Sequence, residues 1–254
     1  MIEAPADTAW YVYGVGEDDP ALSRLAGVEL IRRGGLTAVV REVPLAEFDE
    51  AVLPERLNDR EWLERNARAH EDVLQAAAVV TAVVPLRFGT IYRSREHVER
   101  MLDERTEEFG ATLDQVRGHV EIGVKAWIDL RTLERTLAGD EEPTAGGEGA
   151  AYLQRRQREQ ERSRELAVRC AELAEEAHSR LSSRAVAAVA NRPQPRELTG
   201  RSESMLLNGA YLVREGDDRL RRELEHLAAV HAAAGVEYEL TGPWPPHNFA
   251  GEQR

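Results

Sequence analysis

The stretch GVELIRRGGLTAVVREVP, residues 27–44, constrains the fold most. Two β-rich runs flank Gly34-Gly35, and paired glycines accept the positive φ angles of a two-residue primed turn. The spacing predicts an antiparallel hairpin. Trp10 to Val15 (WYVYGV) reads as a strand before it, with a short helix around Ala21 to Leu25 between. Asn58 stands as the N-cap of a helix running to about Ala77, with Glu61 as its reciprocal partner. Leu63, Ala67, His70 and Leu74 share one face of that helix. VVTAVVP then reads as a strand, and Ser94 caps a second helix running to about Phe109.

From Val120 to Ile128 the residues alternate. Val120, Ile122, Val124, Ala126 and Ile128 take the core face; Glu121, Gly123, Lys125 and Trp127 take the other. Taken as the last strand of an antiparallel sheet with helices on one side, this gives an N-terminal ferredoxin-like α+β domain, residues 1–138. Residues 139–150 are acidic and glycine-rich and read as a loop. A second α/β domain, 151–254, starts with a helix from about Ala151 to Ala188. Leu166, Cys170, Leu173, Ala177 and Leu181 form an apolar stripe along its second half. Its first half, QRRQREQERSRE, is polar all round and reads as projecting into water, with Glu165–Arg169 as a supporting pair. MLLNGAYLV is strand-like, Asp217 or Asp218 caps a helix carrying Leu220, Leu224 and Leu227, and VEYEL makes the last strand, ended by Gly242-Pro243.

The 254 residues carry a formal net charge of −13, which opposes a general binder of nucleic-acid backbones. Hydrophobic residues make up 42% and aromatics 6%, so the expected core is built on small side chains. The single cysteine, Cys170, excludes an internal disulfide and fits a reducing, cytoplasmic setting. No stretch reads as a signal peptide or a membrane span.

The motifs that could carry chemistry are near misses. Gly14-Val15-Gly16 follows a strand, but Asp18 and Asp19 would repel a pyrophosphate. Gly200-Arg201-Ser202 starts a nucleophile-elbow pattern without its closing glycine. His70-Glu71 has Leu74 where a zinc-peptidase helix needs its second histidine, and the other histidines do not cluster. No catalytic group, cofactor or metal is expected. His70 reads first as a hydrogen-bonded structural histidine and alternatively as a catalytic one. Arg87 reads first as gripping a carbonyl or carboxylate within the fold, and alternatively an anionic partner. A small-molecule enzyme with a His70/Arg87 pocket is therefore one rival reading. An RNA-binding module using Lys125 beside Trp127 is another.

Several segments together resemble one family. YVYGV at Tyr11, AVVREVP at Ala38, HEDVL at His70, VVPLRFGT at Val83, VKAWID at Val124, YL at Tyr152, NGAYLV at Asn208 and TGPWPPHNF at Thr241 occur in its order. The chain resembles the gas vesicle accessory proteins of the GvpL/GvpF family, which commonly have tyrosine where His247 stands. The resemblance implies a non-enzymatic, cytoplasmic protein with two ferredoxin-related domains. Such a protein would serve vesicle nucleation and assembly by contacting the hydrophobic shell protein GvpA and other accessory proteins. Partner contacts are expected at Arg87, Phe88, Trp127, Trp244 and Phe249. For Trp127 the first reading is cover by another element of the fold. For the proline-rich tail it is that Trp244 and Phe249 lock it against the body, with a polyproline-like partner surface as the alternative.

Overall fold

The computed structural model describes residues 8–49, 51–138 and 148–251; of 138, 148–155 and 198 only the backbone is described. Helices combine with two antiparallel sheets, as the α+β reading expects. The chain forms two compact units, residues 1–121 with 244–254, and residues 122–243.

The first unit opens with β1 (Thr8–Glu17), followed by a 3₁₀ turn at Pro20–Arg24. The hairpin is β2 (Glu29–Arg33) and β3 (Leu36–Pro44), with Gly34 and Gly35 at φ 59° and 83° as the primed turn requires. Two short helices, α1 (Leu45–Phe48) and α2 (Leu53–Arg56), lead to α3 (Arg60–Val80). The N-cap of α3 is Asp59, whose carboxylate accepts from the backbone of Glu61 and Trp62. The expected cap, Asn58, instead donates its amide to the Pro54 carbonyl. The helix continues through Val79 and Val80, so β4 is only Val83–Pro85 and not the longer strand expected. After β5 (Ile91–Tyr92), Ser94 caps α4 (Arg95–Glu104) as expected. The single helix expected there breaks at Arg105 (φ −112°, ψ 20°), and α5 (Thr106–Val116) follows.

The sheet order is β2-β3-β1-β4, with β5 also pairing β1. Here the expectation of helices on one side is corrected: both faces are covered. Val12, Ile31, Val40 and Val84 pack with Val98, Leu102, Phe109 and Leu113 of α4 and α5. Tyr11, Tyr13, Val39 and Val83 pack with Trp62, Leu74 and Ala77 of α3. A bulge between Val12 and Gly14 shifts the register against β3. The extra residue puts Val15 on the same face as Val12, where plain alternation would have opposed them.

β6 spans His119–Ile128. It lies inside the other sheet, ordered β7-β8-β6-β9, and does not complete the first. The boundary between the units falls within β6, at Glu121/Ile122, and not at the expected 138. Strand alternation sets which faces are buried but not which sheet a strand joins. After α6 (Leu130–Ala138) comes α7 (Glu148–Ser182). The loop expected at 139–150 lies largely outside the described residues, and the helix already begins at Glu148. Of the expected stripe, Leu173, Ala177 and Leu181 are each at most 1% exposed, while Leu166 and Cys170 are half-buried. Residues 156–165 are exposed. Arg169 pairs with Glu172, not with the expected Glu165, and Arg162 pairs with Glu134 of α6.

The helix stops before 188, leaving Ala187–Asn191 as β7, followed by the short α8 (Arg196–Thr199). β8 (Ser204–Arg214) pairs antiparallel with β7. α9 (Arg219–His231) buries Leu220, Leu224 and Leu227. β9 (Val236–Trp244) continues past Gly242-Pro243, where the strand was expected to end. Proline is tolerated because β9 is an edge strand. The chain then re-enters the first unit through a 3₁₀ turn, His247–Phe249.

Candidate functional site

The first unit carries a cleft of about 470 Å³, lined in part by His70 and Glu71 of α3, Leu86, Arg87 and Phe88 after β4, and His247 of the tail. His70 follows from the helical spacing: on the buried face of α3 it is 6% exposed. Its Nδ1 lies 2.8 Å from the Tyr11 hydroxyl. That hydroxyl oxygen also accepts the Gly89 backbone N–H, at 3.1 Å. An amide can only donate, so Tyr11 keeps its own proton for His70, and Nδ1 is the acceptor. Burial first, and then neighbouring His247, lower the pKa of His70 from 6.5 to about 4. Burial likewise pushes the Tyr11 hydroxyl well above its ordinary range.

Arg87 and Phe88 sit on a tight turn. The Thr90 N–H closes onto the Arg87 carbonyl at 3.1 Å, and Gly89 takes φ 83°, where a side chain would be strained. Phe88 packs edge-on against Tyr11, Trp62 and His70. Arg87 is exposed, and among the described residues its guanidinium has no ion-pair or hydrogen-bond partner. The internal grip favoured from sequence is therefore corrected: turn geometry and the Tyr11 hydroxyl hold this loop, and Arg87 faces outward.

Glu71 Oε2 lies 3.0 Å from His247 Nε2, which must donate because a carboxylate only accepts. Glu71 Oε1 is buried without a hydrogen-bond partner among the described residues. Glu121, 5% exposed, accepts from the Asn248 backbone at 2.7 Å and from its side-chain amide at 2.6 Å. Burial raises its pKa, against those two donors. Phe249 and Ala250 are buried and Trp244 is half-buried. Within the first unit, His247 on Glu71, Asn248 on Glu121 and the buried Phe249 and Ala250 hold the tail in place. Sequence reasoning missed the Glu121 clasp, because a carboxylate on the non-core face of a strand carries no local sign of its partner.

Trp127 belongs to the second unit and is 3% exposed. Its indole N–H points to Glu239 at 3.3 Å, and the Arg201 guanidinium covers its ring at 4.7 Å. It offers no exposed platform for stacking a base, which the RNA reading needs. The second unit repeats the histidine–tyrosine pairing: His178 meets Tyr211 at 3.0 Å and His231 meets Tyr238 at 2.7 Å. Burial raises the Cys170 thiol, the opposite of an activated nucleophile. Among the described residues, no group of three His, Cys, Asp or Glu side chains could hold a metal.

His70 and Arg87 do meet at one cleft, as the enzyme reading requires, and the histidine is perturbed. Its Nδ1 lone pair is nevertheless occupied by Tyr11, and among the described residues no hydroxyl, thiol or amine side chain lines the cleft. The arrangement suits binding better than proton transfer.

The sequence pattern of the family described as gas vesicle synthesis protein GvpL/GvpF matches residues 9–251. The chain is 37% identical to gas vesicle protein L of Streptomyces sp. (strain CB03234), over 94% of this chain and 86% of that one. It is 28% identical to gas vesicle protein L1 of Halobacterium salinarum (strain ATCC 700922 / JCM 11081 / NRC-1), over 88% and 80%. In fold it resembles the crystal structure of gas vesicle protein GvpF from Anabaena sp. PCC7120, with a TM-score of 0.72 at 19% identity over 97% and 98% of the two chains. On the match across nearly its whole length, the chain belongs to the GvpL/GvpF family of gas vesicle synthesis proteins.

Proposed function

We propose that this chain is a non-enzymatic, cytoplasmic accessory factor of gas vesicle nucleation and assembly. In this reading it binds the shell protein GvpA and other accessory proteins and limits their aggregation. Family membership from residue 9 to residue 251 is the observation that carries the reading.

Physical features of the chain support it. A shell subunit that buries an apolar face in a finished wall is an aggregation hazard beforehand, and a partner that covers it removes the hazard. A net charge of −13 keeps such a complex apart from its copies. The edge strand β7, sequence AAVAN, lacks charged residues and proline, two devices that commonly blunt strand pairing. Val186, next to it, is 58% exposed. This edge fits an extended segment of the shell protein adding as a further strand. Of the residues expected at partner contacts, Arg87 is exposed and Phe88 and Trp244 are half-buried, so each keeps some surface that a partner can reach. Trp127 and Phe249 would act by holding their surroundings.

Light scattering of shell protein diluted from denaturant tests the reading. Aggregation should slow in the presence of equimolar chain; an unchanged rate would count against it.

A further inference from the structure

From the geometry of the first unit we propose that the Arg87 cleft is a recognition pocket for an acidic side chain in a short peptide segment, flanked by an apolar residue. The inference concerns the cleft alone and does not depend on the shell protein being the partner.

Charge is the first reason. The whole chain is strongly acidic, yet the cation at this cleft is uncompensated among the described residues: Arg87 is exposed at its rim. Glu71, the one carboxylate among the described residues lining the cleft, is already engaged through Oε2 with the His247 N–H, and its Oε1 is shielded from solvent. The guanidinium is therefore the free charge that a ligand meets. Its planar fork matches a carboxylate bidentately.

Shape is the second reason. A cleft of about 470 Å³ admits a few residues of a chain and not only an ion. Leu86, Phe88 and Pro85 give its lining an apolar part beside the cation. Position is the third. The Gly89 turn and the Tyr11 hydroxyl fix the loop on which Arg87 sits, so its backbone is ordered before a ligand arrives.

The test titrates the full-length protein with acetyl-Leu-Glu-Leu-amide, followed by NMR at the Gly89 amide and the His247 ring. Saturable shifts are expected with the Glu peptide. The isosteric Gln peptide should bind about tenfold more weakly or worse, because a charge-assisted pair is lost. Succinate, which has the charge without the apolar flank, should also bind more weakly than the peptide. Arg87→Ala, a change at an exposed side chain, should lose about tenfold for the Glu peptide. Glu71→Gln should gain roughly threefold, since a like charge leaves the cleft. Absence of saturation, equal binding of the Glu and Gln peptides, succinate binding as tight as the peptide, undiminished binding by Arg87→Ala, or weaker binding by Glu71→Gln would each overturn the proposal.

Discussion

Tyr11 and His70 share a hydrogen bond of 2.8 Å whose direction is set from outside the pair, by the Gly89 N–H on the tyrosine oxygen. Burial, and then neighbouring His247, hold His70 neutral, with a pKa of about 4 against an ordinary 6.5. The unfolded chain binds the extra proton between those values. The contribution of His70 is thus fully present above about pH 6.5 and is lost as pH falls toward 4, by roughly 3 kcal/mol in all. Urea unfolding at several pH values should show wild type losing its advantage over His70→Gln across that window. A constant difference between the two would contradict the assignment.

The clasp between Glu121 and Asn248 should hold the tail. Glu121→Ala removes the acceptor of two donors and should cost roughly 2 kcal/mol. It should also speed hydrogen exchange of the Asn248 and Phe249 amides relative to α5. Since burial raises the pKa of Glu121, its own pH term runs opposite to that of His70: it favours the fold at low pH and is lost as pH rises. Unchanged exchange in Glu121→Ala would show that the buried Phe249 and Ala250 hold the tail without the clasp.

Gly14 sits where a side chain cannot. A Cβ there would come within 2.8 Å of the Val84 carbonyl oxygen and 2.9 Å of Leu74 Cδ2. The first is backbone paired in the sheet, so the strand itself would have to move. Gly14→Ala should destabilise by about 1–3 kcal/mol, read as a lower denaturation midpoint at unchanged slope.

Arg87 should separate scaffold from surface. Being exposed and without a described partner, it should be replaceable by alanine within about 0.5 kcal/mol of stability. Loss of a kilocalorie or more in thermal unfolding would restore the internal role that the PLRFGT loop suggested from sequence.

Local chemistry made part of this fold legible. Gly34-Gly35 announced the hairpin because few residues accept both of its φ angles. The spacing of Leu173, Ala177 and Leu181 marked the buried face of α7, and the position of His70 among leucines marked it as a core histidine. What stayed hidden was nonlocal. β1 is buried on both faces, but its continuous apolar run does not say which helices cover each one. The alternation of β6 was readable, but its neighbours, β8 and β9, come from distant sequence. Arg105 breaks a helix without a proline or glycine to signal it. The cleft joins α3, the loop after β4 and the tail, and only the fold brings those three together.

Co-purification tests most directly whether the chain works by holding vesicle proteins, as proposed above. Tagged chain co-expressed with the shell protein GvpA and the other accessory proteins should retain GvpA through a wash at mild salt, and a tag-only control should not. Recovery of the chain with neither GvpA nor any other vesicle component attached would contradict the account.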